Sequence, residues 1–273
     1  MSRAFRKMHG LGNDFVVIDA RSVPFHPGRE EVVRLCDRRR GIGADQLIIL
    51  CPPKKPGMDV FMVMANADGS EVRACGNASR CVAALMMKEK ARGHVKLETV
   101  SGVVEAKAAS GNRVTVDMGE AKLGWQQIPL AEECDTLHLP LVLGPLANPV
   151  AVNMGNPHCV FFVEDAAAVD LAALGPVIEH HALFPDRVNV EVVQVQAPDK
   201  LLMRVWERGS GITEACGSGA CAVLVAAVRR GLSARKVTVI QPGGNLEIEW
   251  LENTHVLMTG DWAESFTGTW MGC

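Results

Sequence analysis

The second half of this chain repeats the first half, and this internal repeat restricts most strongly how the chain can fold. Segments of the first half return in the same order 141 to 143 residues later. The clearest pair is VMANADGSEVRACGN and RVWERGSGITEACGS, which places Cys75 opposite Cys216. Four further segment pairs keep this order, from the GN dipeptides near the start of each half to RVTVDMG and THVLMTG near the end. The sequence therefore predicts two copies of one domain.

Each copy is predicted to contain short strands and one apolar helix. The strands are expected at 60–64, 95–99, 103–108 and 114–118, and in the second copy at 202–206, 236–240, 246–250 and 255–258. The two helices follow the ACG sequences and contain CVAALMM and CAVLVAAV, which are apolar on every side. A helix without a polar face must be surrounded by other elements. We therefore expect an α+β fold of two pseudo-symmetric domains, each a strongly curved sheet around a central buried helix, with the active site in the cleft between them.

The charge balance and the cysteine content exclude several classes of protein. A net charge of −3 and a pI of about 6.2 give no electrostatic basis for binding nucleic acid or an anionic membrane surface. The longest apolar run, 220–228, is far shorter than the roughly 20 residues that span a bilayer. The chain has nine cysteines, an odd number, and they are scattered along the sequence. This pattern favours reduced thiols over a framework of disulfide bonds. We expect a soluble, cytoplasmic protein.

Both copies place a Cys-Gly pair at the predicted start of the buried helix. Backbone N–H groups without a helical partner and a partial positive charge make such a helix end suitable for binding a carboxylate or phosphate. The same field lowers the pKa of a cysteine thiol, so that thiolate becomes accessible near neutral pH. The two predicted helix starts are Cys75-Gly76-Asn77 and Cys216-Gly217-Ser218.

Metal and nucleotide sites are not expected. Cys216 and Cys221 have a spacing that zinc sites use, but on a helix the two side chains point in different directions. Neither a phosphate-binding GK[ST] loop nor a GxGxxG fingerprint is present, and we predict no cofactor. Two opposed thiols around a carboxylate would suit proton exchange at the α-carbon of an amino acid, with one cysteine on each face. A dithiol redox pair is the alternative.

The motifs resemble those of the diaminopimelate epimerases, a cofactor-independent family of amino-acid racemases, over nearly the whole chain. The resemblance implies an isomerase that converts LL-diaminopimelate to meso-diaminopimelate, in lysine and peptidoglycan biosynthesis, and that forms a homodimer. Either cysteine motif alone would also admit relatives of proline racemase, so a racemase of another amino acid stays open as an alternative. The matching segments are MHGLGNDFVVID (8–19), RRGIGADQ (39–46), NADGSEVRACGN (66–77), GNPHCVFFV (155–163), RVNVE (187–191) and ERGSGITEACGSGACA (207–222).

The resemblance also implies a role for individual residues. Cys75 and Cys216 correspond to the catalytic thiols, and His158 and Glu207 to the residues that tune their pKa values. Arg208 can hold the distal carboxylate of the substrate through two parallel hydrogen bonds. The implied substrate-binding set is Asn13, Gln46, Asn66, Gly76, Asn77, Asn156, Asn189, Glu207, Arg208, Gly217 and Ser218.

Three positions depart from the family pattern. Ala78-Ser79 stands where the family has glycine and a variable residue, and Ile212 where an acidic residue is common. Phe266 replaces a tyrosine that the family uses in dimer packing. The family also implies that the tail returns to the first domain, so we expect domains at 1–119 plus 262–273 and at 120–261. The segment 120–150, which contains four prolines, is the best candidate for a linker.

Overall fold

The computed structural model describes residues 2–272, which form two compact units. One unit contains residues 2–116 and 260–272, and the other contains residues 117–259. The boundaries fall inside two strands, Arg113–Glu120 and His255–Asp261. The mixture of sheet and few helices confirms the predicted α+β class.

Four helices and nineteen strands make up the described chain, numbered here in chain order. The helices are α1 (Arg29–Cys36), α2 (Gly76–Lys90), α3 (Leu171–Glu179) and α4 (Gly217–Arg229). The strands up to residue 120 are β1 (Arg3–Gly10), β2 (Asn13–Asp19), β3 (Gln46–Cys51), β4 (Val60–Asn66), β5 (Glu71–Val72), β6 (His94–Thr99), β7 (Gly102–Ala108) and β8 (Arg113–Glu120). The later strands are β9 (Val142–Leu143), β10 (Leu146–Ala147), β11 (Val150–Asn153), β12 (Pro157–Phe162), β13 (Asn189–Ala197), β14 (Lys200–Glu207), β15 (Gly211–Thr213), β16 (Lys236–Gln241), β17 (Gly244–Trp250), β18 (His255–Asp261) and β19 (Ala263–Trp270).

The two units share one pattern of strand pairing, as the sequence repeat predicts. In the first unit β2 is parallel to β3, β3 is antiparallel to β4, and β4 pairs with both β5 and β6. In the second unit β12, β13, β14, β15 and β16 pair in the same order and directions. The register agrees as well. Phe15 pairs with Gln46 in the first unit, and the residues 143 positions later, His158 and Asn189, pair in the second. All eight predicted strands are confirmed, with ends extended by up to three residues.

The two predicted central helices are confirmed as α2 and α4. Ten residues of α4 are buried, including the whole stretch 219–227, because its apolar side chains face strands on several sides. Helix α2 packs against β1, β6 and β7. No helix within residues 2–272 is long and apolar enough to cross a membrane.

The prediction of a linker at 120–150 is wrong. This segment belongs to the second unit, where apolar residues between the prolines enter the hydrophobic core. Ile128, Leu139 and Leu146 are fully buried there. Prolines restrict regular secondary structure, but they do not prevent the burial of neighbouring side chains. The apolar residues of this segment therefore enter the core although its proline content is typical of a linker.

Helix α3 packs tightly on β14 at a single glycine. A Cβ atom on Gly175 would lie 2.6 Å from the indole ring of Trp206. The indole Nε1 also donates a 2.6 Å hydrogen bond to Oε2 of Glu179 at the end of α3. The glycine therefore lets the helix approach the strand that ends at Glu207.

We expect Gly175→Ala to lower the melting temperature, although alanine ordinarily favours a helix over glycine by about 1 kcal/mol. The reason is that overpacking against a fixed ring costs roughly 1–3 kcal/mol. Thermal unfolding followed by circular dichroism measures the effect. Gly93→Ala is the control, because a Cβ there meets nothing within 4 Å. An unchanged or raised melting temperature for Gly175→Ala would contradict this packing.

Candidate active site

Cys75 and Cys216 each form the N-cap of a central helix, as the sequence predicts for the two helix starts. The sulfur of Cys75 accepts a hydrogen bond from the backbone N–H of Ala78, and that of Cys216 from Gly219. Serine or aspartate oxygens usually fill this role. Each sulfur therefore lies where the helix offers positive potential.

The two cysteines differ in their surroundings. Cys75 is half-buried, and its Sγ lies 3.9 Å from Oδ1 of Asn13. Cys216 is 4% exposed, its Sγ lies 3.6 Å from the hydroxyl of Ser218, and its backbone N–H donates to Oε1 of Gln241. The repeat thus keeps the position of the sulfur but changes what surrounds it.

Asn13 connects the half-site around Cys75 to a network of charges. Its Oδ1 accepts a hydrogen bond from Nδ2 of Asn77, and its own Nδ2 donates to Asp45 at 3.0 Å. Asp45 also accepts from Arg38. This arrangement orients the amide, so that its oxygen faces the thiol of Cys75.

Gln46 and Asn66 lie opposite each other on β3 and β4. Nε2 of Gln46 donates to Oδ1 of Asn66 at 3.1 Å, and Asn66 in turn donates to the Ser70 hydroxyl. Within residues 2–272, Oε1 of Gln46 and Oδ1 of Asn77 are buried oxygens that receive no hydrogen bond. Such oxygens can accept hydrogen bonds from an ammonium group.

His158 lies on β12 and is completely buried, so it is not a loop residue. Its Nδ1 lies 2.6 Å from Oε1 of Glu191, and its Nε2 lies 2.9 Å from Oδ1 of Asn156. Both ring nitrogens thus have an oxygen partner, and these two contacts fix the orientation of the imidazole ring. Glu191 is itself fully buried on the neighbouring strand β13.

Asn189, Glu207 and Arg208 meet where β13 and β14 adjoin. Oδ1 of Asn189 accepts from the backbone N–H of Arg208 at 3.0 Å, and Nδ2 donates to the carbonyl of Pro157. The guanidinium of Arg208 is exposed and donates to the carbonyl of Asp186. Other N–H groups of this planar fork can therefore bind a carboxylate.

Burial raises the pKa of the Cys216 thiol well above its ordinary value, and the carboxyl groups of Glu207 and Glu191 raise it further. The hydrogen bonds from Ser218 and Gly219 lower it but do not compensate. The expectation that the helix end lowers this pKa is therefore wrong for Cys216, because desolvation and two nearby carboxyl groups outweigh the helix field. Burial also raises the pKa of Glu207.

Four residues of the site were missed by the sequence analysis. Asp45 orients Asn13, Thr213 donates to Glu207, Gln241 accepts from the backbone of Cys216, and Glu191 pairs with His158. Asp45 and Glu191 stand inside motifs that carry the family resemblance, but their partners are distant in sequence. Among residues 2–272, no group of three or more His, Cys, Asp or Glu side chains is arranged to hold a metal ion.

Solved structures that match nearly the whole chain include proteins described as epimerases, a probable proline racemase, an isomerase and phenazine biosynthesis proteins. A structure described as a predicted epimerase from Pseudomonas aeruginosa has a TM-score of 0.71 and 19% identity, covering 99% of this chain and 100% of that one. A hydroxyproline epimerase from Agrobacterium vitis has a TM-score of 0.70 and 16% identity, covering 98% and 92%. These likenesses define the fold class.

The chain belongs to the diaminopimelate epimerase family. The family's sequence profile matches residues 5–124 and 150–263. The diaminopimelate epimerase of Rhodospirillum centenum is 56% identical over 268 residues, covering 98% of this chain and 92% of the relative. That of Acidiphilium cryptum is 49% identical over 267 residues, covering 98% and 96%. The resemblance found in the motifs is confirmed, and the redox alternative is not supported.

The raised pKa of Glu207 predicts a stability that depends on pH. A carboxyl group with a raised pKa in the folded protein stabilises the fold below its unfolded pKa, and this contribution is lost as the pH rises through the folded pKa. We therefore expect Glu207→Gln to melt at a higher temperature than the wild type at about pH 8, with a smaller difference near pH 4. Glu252→Gln, at an exposed position of the same unit, is the control. Equal melting temperatures of Glu207→Gln and wild type at the higher pH would refute it.

Proposed function

We propose that the protein epimerises LL-diaminopimelate to meso-diaminopimelate by proton transfer at the α-carbon, with Cys75 and Cys216 as the two acid–base groups. Membership of the epimerase family supports the reaction and the substrate. The observation that carries the mechanism is that both copies of the domain use a cysteine as the N-cap of a buried helix. A thiol and a thiolate at two such positions supply the acid and the base without a cofactor.

The first-turn amides of the two helices are proposed to bind the reacting carboxylate. Removal of the α-proton leaves negative charge on the α-carbon and the carboxylate, and preorganised N–H groups stabilise this charge. Each well-placed donor contributes about 3–4 kcal/mol in comparable sites. The amides in question belong to Gly76, Asn77, Gly217 and Ser218.

The proton transfer balances within the site. The thiolate on one face takes the α-proton and becomes a thiol, while the thiol on the opposite face gives its proton to the α-carbon and becomes a thiolate. The configuration inverts, and the two cysteines exchange protonation states. Because Cys216 has a raised pKa, it holds the proton in the substrate-free protein.

The remaining polar side chains are proposed to read the rest of the substrate. The exposed guanidinium of Arg208 suits the distal carboxylate, and the amide oxygens of Gln46, Asn66 and Asn77 suit an ammonium group. Asn156, Asn189 and Glu207 complete this set on the second unit. One end of diaminopimelate reacts, and the other end is only bound. Different polar groups for the two ends, helix amides for the reacting carboxylate and Arg208 for the distal one, fit such a substrate.

Replacing either cysteine by alanine should abolish net epimerisation, since each face then lacks its acid or base. The remaining thiol can still exchange the α-proton of the one epimer that presents hydrogen to it. We therefore expect Cys75→Ala and Cys216→Ala to show opposite epimer preferences in residual deuterium uptake from deuterated water with reductant, followed by NMR.

Cys134→Ala serves as the control for loss of a thiol at a half-buried position away from the helix starts. Residual exchange that favours the same epimer in both alanine variants would show that the two thiols do not act on opposite faces. Full epimerisation by either variant would remove that cysteine from the mechanism.

The protein is further proposed to form a homodimer through β19. Phe266 on this strand is 51% exposed, and its ring packs edge-on against that of Phe5 on the paired strand β1. A large apolar side chain exposed on a strand favours contact with a second surface. Phenylalanine keeps the ring of the family's tyrosine and loses only the hydroxyl. A cytoplasmic location stays a prediction.

Phe266→Asp should convert the dimer to a monomer, because a carboxylate cannot be buried in an apolar contact without a partner. Sedimentation velocity at micromolar concentration measures the change. Val142→Asp is the control, since Val142 is also largely exposed but lies in the other unit. A monomeric wild type, or a dimeric Phe266→Asp, would overturn the assignment.

A further inference from the structure

The repeat places a different trio of buried residues in each copy. In the second unit the trio is His158, Glu191 and Gly219, and the equivalent positions in the first unit carry Phe15, Ile48 and Ala78. Phe15, Ile48 and Ala78 are all fully buried and apolar. At these equivalent positions only the second unit carries a buried acid–base pair, His158 and Glu191.

Glu191 occupies the space next to Cys216. A methyl group on Gly219 would lie 2.9 Å from Oε1 of Glu191 and 3.3 Å from Sγ of Cys216. The carboxylate oxygen and the sulfur thus both lie close to the Cβ position of residue 219. Glycine at 219 leaves room for the carboxylate of Glu191, whereas in the first unit Ile48 stands at the position of Glu191 and residue 78 is alanine.

Burying a carboxylate is costly, so its retention needs a reason. Oε1 of Glu191 is held by His158, and Oε2 has no hydrogen-bond partner within residues 2–272. An apolar residue works at the equivalent position in the other copy, which shows that the fold does not require the charge. The charge therefore points to the chemistry of Cys216.

We propose that Glu191 is a positioning residue of epimerisation, which holds His158 and keeps the reacting proton on Cys216 in the substrate-free protein. This inference rests on the proposed function for the role of Cys216. The negative charge of Glu191 disfavours a thiolate beside it, and this places the proton on Cys216.

The carboxyl groups that raise the pKa of the Cys216 thiol lie on two paired strands. They are Glu207 on β14 and Glu191 on β13. His158 on β12 acts on Glu207, whose pKa it lowers. Removing the charge of Glu191 takes away one negative neighbour of the thiol, so the pKa of Cys216 falls.

The test measures the protonation of each cysteine directly. The protein is labelled with [3-¹³C]cysteine, its resonances are assigned with Cys75→Ala and Cys216→Ala, and the ¹³Cβ shifts are followed without substrate from roughly pH 6 to 12, because the pKa of the Cys216 thiol lies well above its ordinary value. We expect Glu191→Gln to move the titration of Cys216 down by about one pH unit or more, and to leave that of Cys75 unchanged. We also expect kcat to fall roughly tenfold at constant KM, since Glu191 does not touch the substrate.

Glu98→Gln is the matched control, because Glu98 is also a buried glutamate but accepts hydrogen bonds from the backbone N–H groups of Lys54 and Lys55 in the other unit. It should move neither titration. The proposal is overturned if Cys216 titrates at the same or a higher pH in Glu191→Gln than in the wild type, if both cysteines shift together, or if Glu191→Gln shows no Cys216 titration up to the highest pH measured.

A triple variant keeps the test decisive if Glu191→Gln does not fold. His158→Phe, Glu191→Ile and Gly219→Ala together install the apolar trio that the first unit already accommodates. The same downward shift of Cys216 is expected, and its absence would overturn the proposal. The titration needs no catalysis, so a failure of the two-base reaction, seen as epimerisation by Cys216→Ala, is distinguished from a failure of this inference.

Discussion

The burial of one apolar helix in each copy is the constraint on which the rest of the structure depends. A helix such as α4, buried from 219 to 227, needs strands on several sides, and this need accounts for the short strands that surround it. Its N-terminus still carries N–H groups that must find a partner. The chain meets this need with sulfur, since Cys75 and Cys216 cap their helices through the amides of Ala78 and Gly219. The same contact that completes the helix therefore places a reactive atom in a positive potential.

Duplication of a domain supplies two equivalent thiols, but a two-base reaction needs one acid and one base. The two copies differ where this matters. Cys75 is half-buried beside Asn13, whereas Cys216 is buried beside Ser218 and near two carboxyl groups that raise its pKa. The symmetry of the backbone and the asymmetry of the buried side chains thus serve different purposes. The first places two thiols at equivalent helix ends, and the second raises the pKa of one of them, Cys216.

Much of the site could be predicted from the sequence because its chemistry is local. Cys75 and Cys216 each follow from a Cys-Gly pair before an apolar helix, and the repeat makes both significant. Glu191 could not be found in this way, because its partner His158 is 33 residues away and the contact depends on a parallel strand pair. The linker prediction at 120–150 failed for a related reason, since the burial of Ile128 and Leu139 depends on which surfaces the folded unit offers.

The sequence alone determined the α+β class, the two copies, the central helices and the family, because each depends on periodicity, composition or short motifs along the chain. Tertiary structure decided the direction in which the pKa of Cys216 is shifted, because desolvation and the charges of Glu207 and Glu191 outweigh the field of the helix. It also decided how little room surrounds Gly219, since a methyl group there would lie 2.9 Å from the carboxylate of Glu191 on another strand. Short motifs and periodic patterns can be found in the sequence. The electrostatic environment of a side chain and the space around it depend on residues that are distant in sequence and become neighbours only in the folded protein.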